Sequence, residues 1–479
     1  MLKHLAAVVA LGLVVTGCGG GDDSGGSGGG GGGGSDLADC PVDALDDATA
    51  PVEIVFWHTM ARANETALQE LTDAYNSSQQ KVKVSLVNNT TYDDQQDKYR
   101  AGLTTGDLPD LSLMQDIYLQ QMIDTQTVLP AQSCINATTA AVGAASDEES
   151  FFPADDFTAR TLDFYQVDGV QWGLPFNVSN PVLYYDRAAF QAAGLDPDAP
   201  PATFDDVRAA AQAVKDAGFP TGMSLKVDSW HFEQMLALQD GELVDNGNGR
   251  DDRATAATFD SDAGRAVFEF LGGMVADGLA TPSPRSGPSQ FDNLLGIGSH
   301  NHAMTIDSSA ALGTITELLS GGQYADVQLG VAPLPGGTGH GDVEGGVVVG
   351  GAALFVSATD AAKQAAAWDF MQFLTSPESQ SKWAAATGYI PVRTSATELP
   401  EITRRWQEVP GFKVAYDQLV DGADTTATSG AVIGDYEGVR AAVEDAEDKM
   451  FLDDGSPDAA VADAATAATA VMEAYNNRL

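Results

Sequence analysis

Between Val52 and Met114 the hydrophobic pattern changes period several times, and that alternation leaves few folds open. Val52-Glu53-Ile54-Val55-Phe56-Trp57 is a short apolar run of strand type, and Leu68, Leu71 and Tyr75 then recur at helical spacing. A second strand is read from Val82 to Val87, which completes a βαβ unit. A helix from Asp93 to about Thr105 leads through Gly106 and Pro109 into an apolar strand, Leu111 to Met114. The expected product is a parallel sheet covered by helices. Pro181 to Tyr185 reads as a further strand, and Phe204–Ala217 and Ala263–Ala276 as amphipathic helices, so a second α/β lobe is expected. Ser376-Pro377-Glu378 has the grammar of a helix start, and Gly388 closes that helix. Val439, Val443, Ala446 and Met450 form the apolar stripe of the last long helix.

The N-terminus carries different signals. Lys3 precedes an apolar run from Leu5 to Val15, too short to span a bilayer but matched to a secretory h-region. Val15-Thr16-Gly17-Cys18 follows, and it resembles the bacterial lipobox in which Cys18 is lipidated. Residues 1–17 are thus read as a signal peptide and 18–50 as a lipidated cysteine with a tether. In that tether 12 of the 17 residues from Gly19 to Ser35 are glycine, a composition that behaves as random coil. The chain is expected to be exported and held by its lipid at the outer face of the cell membrane, or to be periplasmic. Two cysteines remain, Cys40 and Cys134; they form a disulfide or stay as two free thiols.

Composition narrows the partners. The 479 residues hold 68 acidic and 24 basic side chains, a formal charge of -44, which repels nucleic-acid phosphates. Catalytic and metal motifs are weak. His300 and His302, read as one face of a strand, lack the further ligands zinc needs, and no HExxH or CxxC occurs. Ser379-Gln380-Ser381-Lys382 matches SxxK, but its partner motifs are missing. Asp245 to Asp251 hints at a calcium loop but misses the alternation of oxygen ligands, and is read as a polar turn. No cofactor is expected, and no enzyme activity.

A resemblance gives these features a context. Phe56-Trp57-His58-Thr59-Met60, the stretch Pro175 to Tyr185, and Ala192-Ala193-Gly194-Leu195-Asp196-Pro197 look like segments of the family 1 extracellular solute-binding proteins of ABC importers. Ala303-Met304-Thr305, Gly350-Gly351-Ala352 and Thr387-Gly388-Tyr389-Ile390-Pro391 follow in the same order. The likeness is strongest to the glycerol-3-phosphate-binding branch. It implies a periplasmic-binding-protein-like α/β fold of type II, with two lobes, a hinge and a ligand cleft between them. Lobe 1 is expected to comprise 51–173 and 303–349, and lobe 2 to comprise 174–302 and 350–479, with crossings near Gly173, His302 and Val349. Partners would be a small solute and the permease, with membrane contact through the lipid only; a monomer is expected.

Site residues follow from the same resemblance. Tyr92 matches the tyrosine of the first lobe, and Asp116 stands where a carboxylate binds glycerol hydroxyls. Ser179, Ser308, Gly351 and Tyr389 match donors to phosphate or hydroxyl oxygens, and Arg440 matches the arginine that clamps phosphate. The family's tryptophan falls at Val227, with Trp230 three residues on, which implies a roomier pocket able to take a glycerophosphodiester. A surface ion pair with Glu444 is the other reading of Arg440. Two further functions remain open: a receptor for a neutral sugar or oligosaccharide, relying on Trp57, Trp230 and Tyr389, and a secreted serine hydrolase using Ser379.

Overall fold

The computed structural model describes residues 37–143, 152–283, 291–320, 324, 326–337, 345–452 and 455–479. The signal, Cys18 and most of the glycine tether lie outside the described residues. From Leu37 to Leu479 the chain forms one compact unit.

Thirteen strands are described, in two principal sheets and one small hairpin. They are β1 (Val52–His58), β2 (Val82–Asn88), β3 (Leu111–Gln115), β4 (Val128–Leu129), β5 (Gln166–Val167), β6 (Val170–Gln171) and β7 (Leu174–Ser179). The rest are β8 (Pro181–Asp186), β9 (Met223–Lys226), β10 (Ala280–Ser283), β11 (Met304–Ser308), β12 (Leu329–Pro333) and β13 (Gly350–Ser357). The first sheet runs β2-β1-β3-β13-β4, with β7 also paired to β13. The second runs β10-β9-β11-β8-β12, and β5 pairs with β6.

The expected βαβ unit is present: β1 lies parallel to both β2 and β3, and Ile54 and Phe56 are buried. The sheet as a whole is mixed. β13 inserts antiparallel between β3 and β7, because the chain re-enters this sheet from the second one. In the second sheet β9 is parallel to β10 and β11, while β8 is antiparallel to β11 and β12.

Strand pairing corrects the expected lobe boundaries. Strands β11 and β12, assigned by sequence to lobe 1, belong to the second sheet, and β7 and β13, assigned to lobe 2, belong to the first. The helices Ala361–Leu374 and Pro377–Thr387 pack on the first-sheet side, whereas Gly411–Asp421, Tyr436–Leu452 and Pro457–Asn476 pack on the second. The chain therefore crosses at Asn180, between β7 and β8, and not at Gly173. There is no crossing at His302, since β10 and β11 share a sheet; the return crossing lies between β12 and β13, near the expected Val349. Asn180 is fully buried and fixed on both sides: its Nδ2 donates to the Ala415 carbonyl and its Oδ1 accepts from Gln418, each at 2.9 Å.

Local rules explain the helix ends. Ser376 accepts from the Ser379 N–H, Pro377 opens the helix, and Gly388 ends it at φ 96°. The Val439 stripe lies on Tyr436–Leu452, but a further helix, Pro457–Asn476, follows it and packs against it. His300 and His302 lie ahead of β11 rather than on it; His300 meets Asp326 at 2.8 Å and His302 the Asn293 carbonyl at 2.7 Å. Asp245–Gly249 is a turn in which Asn246, Gly247 and Asn248 all have positive φ. Cys40 and Cys134 are joined in a disulfide.

Candidate ligand-binding cleft

The ends of β1, β3 and β7 in one sheet and of β9 and β11 in the other converge on one cavity of about 1000 Å³. Open α/β sheets place ligands outside the carboxyl ends of their strands, where side chains from several strands meet. All eight residues singled out by sequence as ligand contacts line this cavity.

Asp116 opens the turn after β3 and is 5 % exposed. Its carboxylate accepts from the N–H of Ile117 at 2.8 Å and from that of Gly351. Burial pushes its pKa up to about 7; Arg440 pulls the other way and Glu233 adds to the rise. Arg440, on Tyr436–Leu452, is gripped by Glu233 in a bidentate pair, Nε to Oε1 and Nη2 to Oε2, both at 2.8 Å. Burial opposes the guanidinium's charge, but Glu233 outweighs it and holds the pKa well above the usual range. Glu444, the partner considered from sequence, accepts from Ser229 Oγ at 3.1 Å. The remaining nitrogen, Nη1, stays uncommitted to the Glu233 pair.

Two phenols face this group. Tyr92 begins the helix Tyr92–Thr105, capped by Thr91, and its hydroxyl accepts from Asn177 Nδ2 at 2.9 Å. Tyr389 follows the left-handed Gly388, and its ring stacks on Trp383 with centroids 5.3 Å apart. Ser179 and Ser308 end β7 and β11. Ser308 Oγ accepts from the Ala310 N–H at 3.2 Å, which leaves its O–H to donate elsewhere. Gly351 has φ +106°, and a Cβ there would lie 2.0 Å from the Asn177 carbonyl oxygen. Its N–H holds Asp116 in place.

Trp230 stands early in the helix Ser229–Leu238, with its indole against Gly350, where a Cβ would come within 2.6 Å of Cζ2. Val227 lines the same wall. Trp57 is buried in β1 under the Lys98 ammonium, 3.9 Å from the ring centroid, and is not part of the lining.

Sequence reasoning missed Glu233, Asn177, Lys226, Asp228 and Asp307. Lys226 Nζ lies 3.1 Å from Asp228 Oδ2. Burial opposes the lysine charge, but Asp228 and Asp307 outweigh it and raise its pKa; Asp228, for which burial acts upward, is held below the carboxylate range mainly by Lys226. The spacing of Lys226 and Asp228 on either side of Val227 is the one signal that could have shown this pair. Glu233 gives none, since it meets Arg440 across 207 positions.

The sequence profile of bacterial extracellular solute-binding proteins matches residues 70–411. The chain belongs to that family. It is 26 % identical over 435 residues to the sn-glycerol-3-phosphate-binding periplasmic protein UgpB of Pectobacterium atrosepticum, covering 89 % of this chain and 93 % of the relative. UgpB of Yersinia pseudotuberculosis is also 26 % identical, over 87 % of this chain and 91 % of that one. Among solved structures, UgpB from Mycobacterium tuberculosis in complex with glycerophosphocholine matches with a TM-score of 0.70 at 21 % identity, over 90 % of this chain and 99 % of that one. The GacH receptor of Streptomyces glaucescens, studied unliganded and with acarbose, matches with a TM-score of 0.71 at 21 % identity, over 89 % of this chain and 99 % of that one. The fold is the two-lobed α/β architecture expected from sequence. Among the described residues no helix is long and apolar enough to cross a membrane, and no group of three or more His, Cys, Asp or Glu could hold a metal ion.

Proposed function

We propose that this chain is the substrate-binding lipoprotein of an ABC importer, anchored through Cys18, which captures glycerol-3-phosphate or a glycerophosphodiester by hinge closure and delivers it to a permease. The observation that carries the ligand is Arg440, a partly exposed guanidinium in the cleft wall whose orientation Glu233 fixes. A planar fork of N–H donors suits phosphate oxygens, and a carboxylate such as Asp116 accepts from neighbouring hydroxyls. Tyr92, Ser179, Ser308 and Tyr389 supply hydroxyls between those ends. The names of the curated relatives and the glycerophosphocholine complex support the same class. The work is binding rather than catalysis, with closure favoured because ligand contacts on both lobes exist together only when they shut.

A neutral sugar is the second reading. It is favoured by the carboxylates of the lining, among them Asp228, Asp307 and Glu444, and by the fold shared with receptors for acarbose and maltose. Calorimetric titration with glycerol-3-phosphate, glycerophosphocholine, maltose and trehalose separates the two. Phosphoester binding that drops about ten- to hundredfold in Arg440→Ala, the scale of a charge-assisted hydrogen bond from the nitrogen that Glu233 leaves, is the expected result. Heat from the neutral sugars alone would remove the phosphoester reading.

A further inference from the structure

Asn177 is a primary amide in the middle of a buried strand. Every residue of β7 is buried, and Asn177 itself has no exposed surface. A buried amide costs stability unless it is bonded, so the direction of its hydrogens carries information. Asn177 is not part of the cavity lining, yet it reaches two residues that are, Tyr92 and Tyr389.

The amide nitrogen gives a hydrogen to the Tyr92 hydroxyl at 2.9 Å. The Tyr389 hydroxyl has the same amide and the Tyr92 hydroxyl as donors, and Thr59 is a further donor to Tyr92. Asn177 Oδ1 has no hydrogen-bond partner among the described residues. The reverse orientation of the amide would leave two buried N–H groups unpaired in place of one carbonyl oxygen, the costlier arrangement.

A phenol has one hydrogen to give. Tyr92 passes its hydrogen to Tyr389, and Tyr389, whose oxygen already accepts, must send its own elsewhere. That hydrogen goes to Met60 Sδ at 3.9 Å, a weak acceptor in the cavity lining. The ring is held in place, because Trp383 stacks on both Tyr389 and Phe176, with centroids 5.3 and 4.8 Å away. An ionised oxygen displaces a thioether readily, since hydrogen bonds to a charged acceptor are about twice as strong as neutral ones.

We infer that Asn177 is a positioning residue for selectivity: through Tyr92 and Tyr389 it presents one O–H to the cleft as a donor, so that this wall favours an ionised phosphoryl oxygen over a hydroxyl. The inference rests on the phosphoester reading of Arg440. Calorimetry of the full-length protein at about pH 8 with glycerophosphocholine tests it through a double-mutant cycle. Tyr389→Phe is expected to weaken binding at least about tenfold, and Asn177→Leu about three- to tenfold. The double variant is expected to bind within about twofold of Tyr389→Phe alone, because the amide acts through that hydroxyl. Losses that multiply overturn the proposal, since a role in packing alone adds to the loss of the phenol. Asn177→Asp keeps the shape but only accepts, so it turns both phenols towards itself and is expected to bind at least about tenfold more weakly than Asn177→Leu. An aspartate variant that binds better than the leucine one, or as well as the parent should the leucine variant not fold, also overturns the proposal. A parent chain that binds maltose and neither glycerol-3-phosphate nor glycerophosphocholine sinks the reading of Arg440, and this inference with it, before any variant is compared.

Discussion

Arg440 and Glu233 form a pair whose cost and use are opposed. Each charge is expensive to bury, and removing one partner leaves the other uncompensated. Glu233→Ala is therefore expected to cost about 3–5 kcal/mol in a urea or thermal melt. Glu233→Gln keeps the shape and frees the guanidinium, so phosphoester affinity should rise about five- to tenfold as the competing carboxylate is removed. Unchanged affinity in Glu233→Gln would mean that Arg440 does not meet the phosphate. Asp116 sets a pH dependence. Burial first, then Glu233, keeps its carboxyl protonated up to about 7, whereas in the unfolded chain the proton leaves near pH 4. Between those values the unfolded state binds fewer protons, so this group's contribution is fully present below about pH 4 and is lost as pH rises through about 7. Comparison of melting at about pH 4.5 and pH 8 should show that fall, and Asp116→Asn should flatten it.

At the scale of elements, β13 matters most. It enters the first sheet antiparallel, beside β3, and carries Gly351 into the cleft wall, with Gly350 next to it against the Trp230 indole. The register of β13 against β7 shifts between Ala352 and Ala353, just beyond these glycines. Gly351→Ala would set a side chain on positive φ and drive its Cβ into the Asn177 carbonyl. The expected result is a sharply lowered melting temperature with ligand binding lost, and a variant that melts like the parent would show that the close approach relaxes. Helix starts are milder. Thr203 and Asp206 form a full capping box on Phe204–Asp216, and Thr203→Ala should cost about 1 kcal/mol without touching affinity. Equal melting curves for Thr203→Ala and the parent would refute that.

The whole molecule is tied by contacts distant in sequence. Asp124, beside the first sheet, accepts both Arg253 amino groups at 3.1 and 2.8 Å and the Tyr475 hydroxyl at 2.9 Å. Arg100 meets Glu437, three residues before Arg440, at 3.0 Å. The disulfide between Cys40 and Cys134 spans 94 positions and ties the first described residues to the helix Ala131–Gly143. Closing a loop of that length restricts the unfolded chain by about 4–5 kcal/mol in the loop-entropy account. Thermal melts with and without reductant should differ accordingly, and identical curves would show that the bridge adds nothing.

Much was legible in the sequence because it is local. Strand and helix periods, the Ser376 cap and the Gly388 stop act within a few residues, and they carried the α/β class, four of the thirteen described strands and six of the helices. The resemblance then singled out residues that do gather in one cavity, although Gly351 turns its N–H to Asp116 rather than to open space. Pairing between sheets was not legible. Nothing within β11, β12 or β13 says which sheet each will join, because a strand's neighbours are chosen by packing across hundreds of residues. The same holds for Glu233, a carboxylate among 68 acidic side chains until the fold sets it against Arg440. The sequence by itself determined the periods, the caps and the charge. Only the tertiary structure decided the exchange of strands between lobes and the neutralisation of the cleft's cations, since both depend on distances that no local pattern carries.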